Sequence, residues 1–161
     1  MAVKIREAKD EEIEEIAKIC RDEIYDELSL EWVLDWLKSI TFPYLQYFVA
    51  DKNGEVVGFI DWTLYDRYGQ QVMLEISLIA VKKEYQRRDI GRRLVEESLT
   101  KIREFWTGQG LKVVMFMVET EEENETARKF YNKILKPFHK RFVPEVWEKE
   151  GGKIFYFKDL K

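Results

Sequence analysis

The chain has 161 residues, 45% of them apolar and 36% charged, which suits one soluble domain with its own hydrophobic core. Its one cysteine, Cys20, and one histidine, His139, exclude an internal disulfide and a Cys/His zinc site, and nothing around His139 resembles a Ser-His-Asp triad. No apolar stretch approaches the length of a membrane span and the acidic start is no secretory signal, so the sequence reads as cytoplasmic, with no membrane partner.

The elements follow in order from local pattern. Val3 to Arg6 reads as a short strand, and Asp10 as the N-cap of a helix carrying Ile13, Ile16, Ala17, Cys20 and Ile24 at helical spacing. A second helix runs from Leu30 to Ile40, with Trp32, Val33, Trp36, Leu37 and Ile40 apolar and Pro43 just beyond. Tyr47 to Ala50 and Glu55 to Leu64 are strands joined by Asp51-Lys52-Asn53-Gly54, where Asn-Gly signals a hairpin. Val72 to Val81 reads as one longer strand, and Gly91 to Trp106 as a helix. Leu111 to Val118 is apolar enough for a strand buried on both faces, and Asn124 to Leu135 is helical. Glu145 to Glu148 and Lys153 to Phe157 read as strands around Gly151-Gly152. The expected architecture is an α/β (α+β) domain spanning residues 1–161, with a mixed sheet flanked by helices and no repeats or linkers.

Charge is distributed unevenly along this frame. Residues 1–35 carry twelve acids and five bases, whereas residues 82–93 carry six bases (Lys82, Lys83, Arg87, Arg88, Arg92, Arg93) and two acids (Glu84, Asp89). A compact basic patch on a chain of net charge −4 points to a localised anionic ligand and argues against nucleic acid, since no aromatic platform accompanies the arginines. The patch is a turn between the strand ending at Val81 and the helix opening near Gly91. The first amides of such a helix lack internal partners and carry the positive end of the dipole, so a diphosphate fits there. The same residues also fit a plain solvated helix start.

Gln86-Arg87-Arg88-Asp89-Ile90-Gly91, preceded by Ile79-Ala80-Val81, resembles the acyl-CoA motif Gln/Arg-x-x-Gly-x-Gly/Ala of the GNAT superfamily of N-acetyltransferases. Asn124-Glu-Thr-Ala127-Arg-Lys-Phe130-Tyr131 resembles the family's Asn-x-x-Ala-x-x-Phe-Tyr helix, and the element order matches over nearly the whole chain. The resemblance implies a mostly antiparallel sheet splayed at its middle strands, with about four helices. It also implies acetyl-CoA, with no metal, in the gap between the strands at 72–81 and 111–118. By the same resemblance the backbone of Ile79, Ala80 and Val81 holds the pantetheine arm. The turn Gln86, Arg87, Arg88, Asp89, Ile90, Gly91 and Arg92 holds the diphosphate, and Asn124 contacts the cofactor arm. Two departures stand out. Asp89 occupies the place of the motif's first glycine, where a carboxylate repels phosphate and resists a positive φ. The family's Gly-Phe after the tyrosine is replaced by Ile134-Leu135-Lys136-Pro137-Phe138.

Acetyl transfer to an amine needs a base, an oxyanion donor and an acid for the leaving thiolate. The resemblance makes Tyr131 the acid; alternatively Phe130 and Tyr131 are both core aromatics. Glu75 is the candidate base, directly or through a water. It shares a face with Met73, Ser77 and Ile79, opposite an apolar face of Leu74, Ile76, Leu78 and Ala80. Its spacing to Ala80 and Gln86 matches the catalytic glutamate of the family's histone-acetylating branch; otherwise it is an exposed residue near a strand start. Asp61 is the fallback base or amine anchor, although its alternation with Phe59 and Thr63 favours a solvent-facing position. Cys20 fits the core and His139 the surface.

The implied reaction is transfer of an acetyl group from acetyl-CoA to a primary amine: a polyamine, a peptide or protein amine, or a small-molecule amine. In the family the N-terminal helices form the acceptor site. Here they hold Tyr25, Trp32, Trp36 and Tyr44 among many acids, which favours a cationic amine. The alternative is a catalytically degenerate member that binds acyl-CoA or serves as a scaffold, a reading that Asp89 supports. A homo-oligomer is compatible with either.

Overall fold

The computed structural model of the chain describes residues 3–40, 45–136, 138–144 and 151–160. Pro43, Tyr44, Pro137 and the strand expected over 145–148 lie outside the described residues. In chain order the elements are β1 (Lys4–Glu7), α1 (Ile13–Glu23), α2 (Leu30–Ser39), β2 (Gln46–Lys52), β3 (Glu55–Tyr68), β4 (Gln71–Ile76), β5 (Ile79–Val81), α3 (Ile90–Gly108), β6 (Lys112–Glu121), α4 (Glu125–Ile134), β7 (His139–Val143) and β8 (Lys153–Asp159). The fold is mixed α/β, and eight strands in a mostly antiparallel sheet and four α-helices are present among the described residues. None of these helices is long and apolar enough to cross a membrane.

The chain forms two compact units, Met1–Thr63 with Leu78–Phe105, and Leu64–Ser77 with Trp106–Lys161. In the first unit the strand order is β1-β2-β3-β5, all antiparallel neighbours. The hairpin from β2 to β3 turns at Asn53 and Gly54, both with positive φ, as the Asn-Gly pair predicts. The apolar faces of α1 and α2 pack on this sheet, with Ile16, Ile19, Val33 and Leu37 buried against Val49 and Phe59. Each such side chain contributes roughly 1.5–3 kcal/mol by leaving water. Helix α3 adds a buried polar contact, in which the Trp62 indole N–H donates to Ser98 Oγ at 2.7 Å. The helix expected from Asp10 begins instead with a 3-10 turn, Asp10–Glu12, before α1. Glu12 is held there by the backbone N–H of Lys9 at 2.8 Å and by Arg6 at 2.6 Å.

In the second unit β4 runs parallel to β6, β6 pairs antiparallel with β8, and β8 with β7. Helix α4 starts at Asn124, whose side chain accepts the Ala127 N–H at 3.0 Å.

Two expectations are corrected. Residues 72–81 form two strands: β4 lies between β3 and β6 and its ladder with β6 ends at Ile76, whereas β5 pairs with β3. Asp61 is 2% exposed, inside the fully buried run Val56–Thr63 of β3, and does not face solvent.

Candidate active site

The break in the strand has a local cause in the first unit. The Asp61 backbone N–H donates to the Leu78 carbonyl at 3.0 Å, and the Leu78 N–H donates to Asp61 Oδ1 at 2.8 Å. A buried carboxylate thus replaces a backbone carbonyl as the acceptor at the start of β5, in the charge-assisted contact that such a group requires. Gly58 sits opposite Val81, and a Cβ there would lie 2.9 Å from the Ala80 carbonyl oxygen. Only glycine lets β3 and β5 approach this closely.

The hydrogen bonds from Asp61 N–H to Leu78 and from Lys82 N–H to Val57, at 3.0 and 2.9 Å, set the alternation of the β5 ladder. By that alternation the amide and carbonyl of Ala80 turn toward β3, whereas those of Ile79 and Val81 turn away from it. The Val81 carbonyl accepts the Gln86 Nε2–H at 2.9 Å, which agrees with this assignment. Ile79 N–H, Ile79 C=O and Val81 N–H therefore line the outer edge of β5, where an extended amide-bearing ligand can pair with them.

Beyond β5, a 3-10 turn at Lys83–Tyr85 leads into the basic turn. Arg87 and Asp89 adopt φ of +59° and +66°, with the residues between and after them at negative φ. Alternation of this kind curls successive N–H groups toward one concave side, the geometry of a backbone anion nest. Ile90, Gly91 and Arg92 follow as the first turn of α3, and their N–H groups have no acceptor within the helix. Gln86, Arg87, Arg88 and Asp89 are exposed. Arg88 stands over the Tyr85 ring at 5.6 Å. The Asp89 carboxylate is ion-paired with Arg92, whose Nε donates to Oδ1 at 2.7 Å, while the Asp89 carbonyl accepts the Arg93 N–H at 3.1 Å. Arg92 also pairs with Glu96 at 2.5 Å. The turn fits a diphosphate through its concave amides and the positive end of a nineteen-residue helix, with the exposed Arg87 and Arg88 within it.

The first unit also carries the aromatic residues expected near an acceptor. Tyr25 meets Trp36 edge-on at 5.6 Å, and Trp32, 53% exposed, stacks on Trp36 at 6.0 Å. Ser29 caps α2 by accepting the Trp32 N–H at 3.1 Å. Cys20 is fully buried in the core as expected. Burial first, and the Asp61 charge second, push its thiol up to about 12. The same two influences, with Cys20, push the Tyr47 hydroxyl up.

The second unit holds Glu75, Tyr131 and Asn124. Burial alternates along β4 as the sequence pattern implies, with Val72, Leu74 and Ile76 buried and Met73 and Glu75 half-buried. Glu75 is opposite Met117 on β6. Burial first, then the neighbouring Glu119 carboxylate, raise the Glu75 carboxyl above its ordinary value. Glu119 did not stand out in the sequence, because it lies in a mixed run between Val118 and Thr120. It accepts Lys153 Nζ at 2.9 Å, and Lys153 is only 14% exposed. Tyr131 is buried, its ring 5.4 Å from Phe130 and 5.5 Å from Tyr156. Burial raises the Tyr156 hydroxyl, and the nearby Arg128 opposes that rise.

Comparisons with known proteins bear on the family and the fold. The model of the acetyltransferase (GNAT) family matches residues 10–136. The chain is similar in fold to Ard1 from Thermoplasma volcanium, with a TM-score of 0.72 and 22% identity over 100% of this chain and 99% of that one. It is similar to the ribosomal-protein-alanine N-acetyltransferase from Brucella melitensis, with a TM-score of 0.70 and 22% identity over 98% and 99% of the two chains. An aminoglycoside 6'-N-acetyltransferase complexed with coenzyme A gives a TM-score of 0.72 and 15% identity over 98% and 97%. No curated protein sequence matches the chain.

Proposed function

The chain belongs to the acetyltransferase (GNAT) family, and from that premise we propose that it transfers an acetyl group from acetyl-CoA to a primary amine, as one catalytic domain over residues 1–161. The observation that carries this reading is the turn from Gln86 to Arg92, with its left-handed Arg87 and Asp89 opening directly into α3. Its concave amides receive the diphosphate, and Arg87 and Arg88 add charge-assisted hydrogen bonds. The outer edge of β5, at Ile79 and Val81, pairs with the pantetheine amides in the manner of an added strand. Asn124 contacts the cofactor arm through the part of its side chain not used in capping α4.

Acetyl-CoA supplies an activated thioester, so positioning accounts for much of the acceleration. As the amine nitrogen bonds to the carbonyl carbon and the C–S bond breaks, Glu75 accepts the proton shed by nitrogen, directly or through a water. Its raised carboxyl suits a base working near neutrality. Tyr131 gives its hydroxyl proton to the departing sulfur. Asp61 is occupied in holding Leu78, which favours Glu75 over it as the base.

Two of these proteins are named for different acceptors, a ribosomal-protein alanine and an aminoglycoside, and identities of 15–22% carry only the fold to this chain. The aromatic ladder of Tyr25, Trp36 and Trp32, beside the exposed acids Asp26, Glu27, Glu31 and Asp35, supports a cationic acceptor. The test is thiol release from acetyl-CoA across polyamines, peptides with free N-termini, lysine peptides and aminoglycosides. Amine-dependent release with any class supports the reading.

The Asp89–Arg92 ion pair favours a second reading, a degenerate member that binds acyl-CoA without turnover. Tight binding with no release over the whole panel decides for it.

A further inference from the structure

Glu23, the last residue of α1, makes contacts to a segment 60 residues further along the chain. Its Oε1 accepts the Lys83 backbone N–H at 2.8 Å, and its Oε2 accepts the Gln86 Nε2–H at 3.0 Å. The same Gln86 nitrogen donates to the Val81 carbonyl at 2.9 Å. One carboxylate therefore pins both ends of the stretch between β5 and the basic turn. Lys83 opens the three-residue 3-10 turn, so its N–H has no partner within that turn and depends on Glu23. An acid placed against a basic anion-binding segment weakens its attraction for phosphate. The hydrogen bonds show what it contributes instead, a fixed backbone course into Arg87.

The other side of Glu23 leads straight into Ile24 and Tyr25, the start of the segment whose Tyr25 ring packs on Trp36. Glu23 thus ties the end of α1, and the aromatic segment that follows it, to the turn before α3.

We infer that Glu23 is a positioning residue that presets the diphosphate-binding turn, through Lys83 and Gln86, before coenzyme A arrives. The inference rests on the cofactor reading proposed above. Preorganisation of this kind raises affinity by removing the ordering cost from the binding step.

The experiment is calorimetric titration of CoA into the full chain and its Glu23→Ala and Glu23→Gln variants, with hydrogen exchange at the Lys83 amide measured without ligand. Glu23→Ala should bind CoA about tenfold or more weakly, the loss expected for hydrogen bonds to a charged group, and its Lys83 amide should exchange faster. Glu23→Gln retains an oxygen for the Lys83 N–H and should recover part of both losses. A wild-type chain that binds CoA while both variants bind equally well overturns the inference and leaves the cofactor reading standing. A wild-type chain that does not bind CoA overturns both. If Glu23→Ala folds poorly, Glu23→Gln decides: weaker binding supports the inference, and unchanged binding with unchanged Lys83 exchange overturns it.

Discussion

Asp89 and Arg92 form an ion pair across the first turn of α3, with Arg92 Nε donating to Asp89 Oδ1 at 2.7 Å. Asp89 holds φ of +66° at the place where the motif has glycine. The carboxylate competes with phosphate for the guanidinium, and the backbone bears strain that glycine would not. Asp89→Gly removes the competing carboxylate and the strain while Arg92 keeps its pair with Glu96 at 2.5 Å, and CoA binding should tighten by about tenfold, the order of one charge-assisted hydrogen bond. Calorimetry on the variant measures it, and weaker binding would show that the carboxylate organises the turn.

Tyr131→Phe keeps the ring contacts with Phe130 and Tyr156 and removes only the hydroxyl. The variant should fold normally and bind CoA as the wild type does, while kcat falls by about a hundredfold or more, as expected for loss of a general acid. Thiol-release kinetics beside a thermal melt separate the two effects. Full activity in the variant removes Tyr131 from the mechanism.

Glu75 carries a pH signature. Burial and Glu119 raise its carboxyl in the folded chain, so between the ordinary carboxylate value and the raised one the folded state binds more protons than the unfolded state. Wild-type stability should fall as pH rises from that ordinary value through the raised one. Glu75→Gln should match the wild type in more acidic solution and exceed it in stability at neutral pH. As a base Glu75 must be ionised, so kcat/KM should fall as pH drops through the same raised value. In Glu75→Gln that limb should vanish together with most of the rate. Denaturant titrations and rate profiles across pH check both statements.

Cys20 should be chemically silent. Burial and the Asp61 charge push its thiol up to about 12, so almost no thiolate exists near neutrality. A disulfide reagent should label it only as fast as the chain unfolds. Rapid stoichiometric labelling of the native protein would contradict the buried placement.

Much of this was legible from local pattern. The basic stretch 82–93 lies at a strand-to-helix turn, and each principal helix, with the Asn-Gly hairpin, falls where periodicity and turn chemistry put it. What the pattern missed was non-local. Period-two alternation continues unbroken through Ser77 and Leu78, yet the ladder with β6 stops at Ile76, and Asp61, 17 residues earlier, supplies the acceptor for Leu78. Asp61 itself was misread because β3 is buried on both faces from Val56 to Thr63, so alternation with Phe59 and Thr63 says nothing about solvent. Gly58 did leave a signal, a glycine inside an apolar strand, which marks close backbone approach. Glu23 and Glu119 left none, since each acquires meaning only from partners that folding brings to it.

The most direct test follows backbone amide resonances of the 15N-labelled chain as CoA is added. The largest shifts should fall on Ile79, Val81 and residues 86–92, at the outer edge of β5 and the mouth of α3. Saturable shifts confined to other parts of the chain, or none at millimolar CoA, would contradict the placement of the diphosphate on this turn.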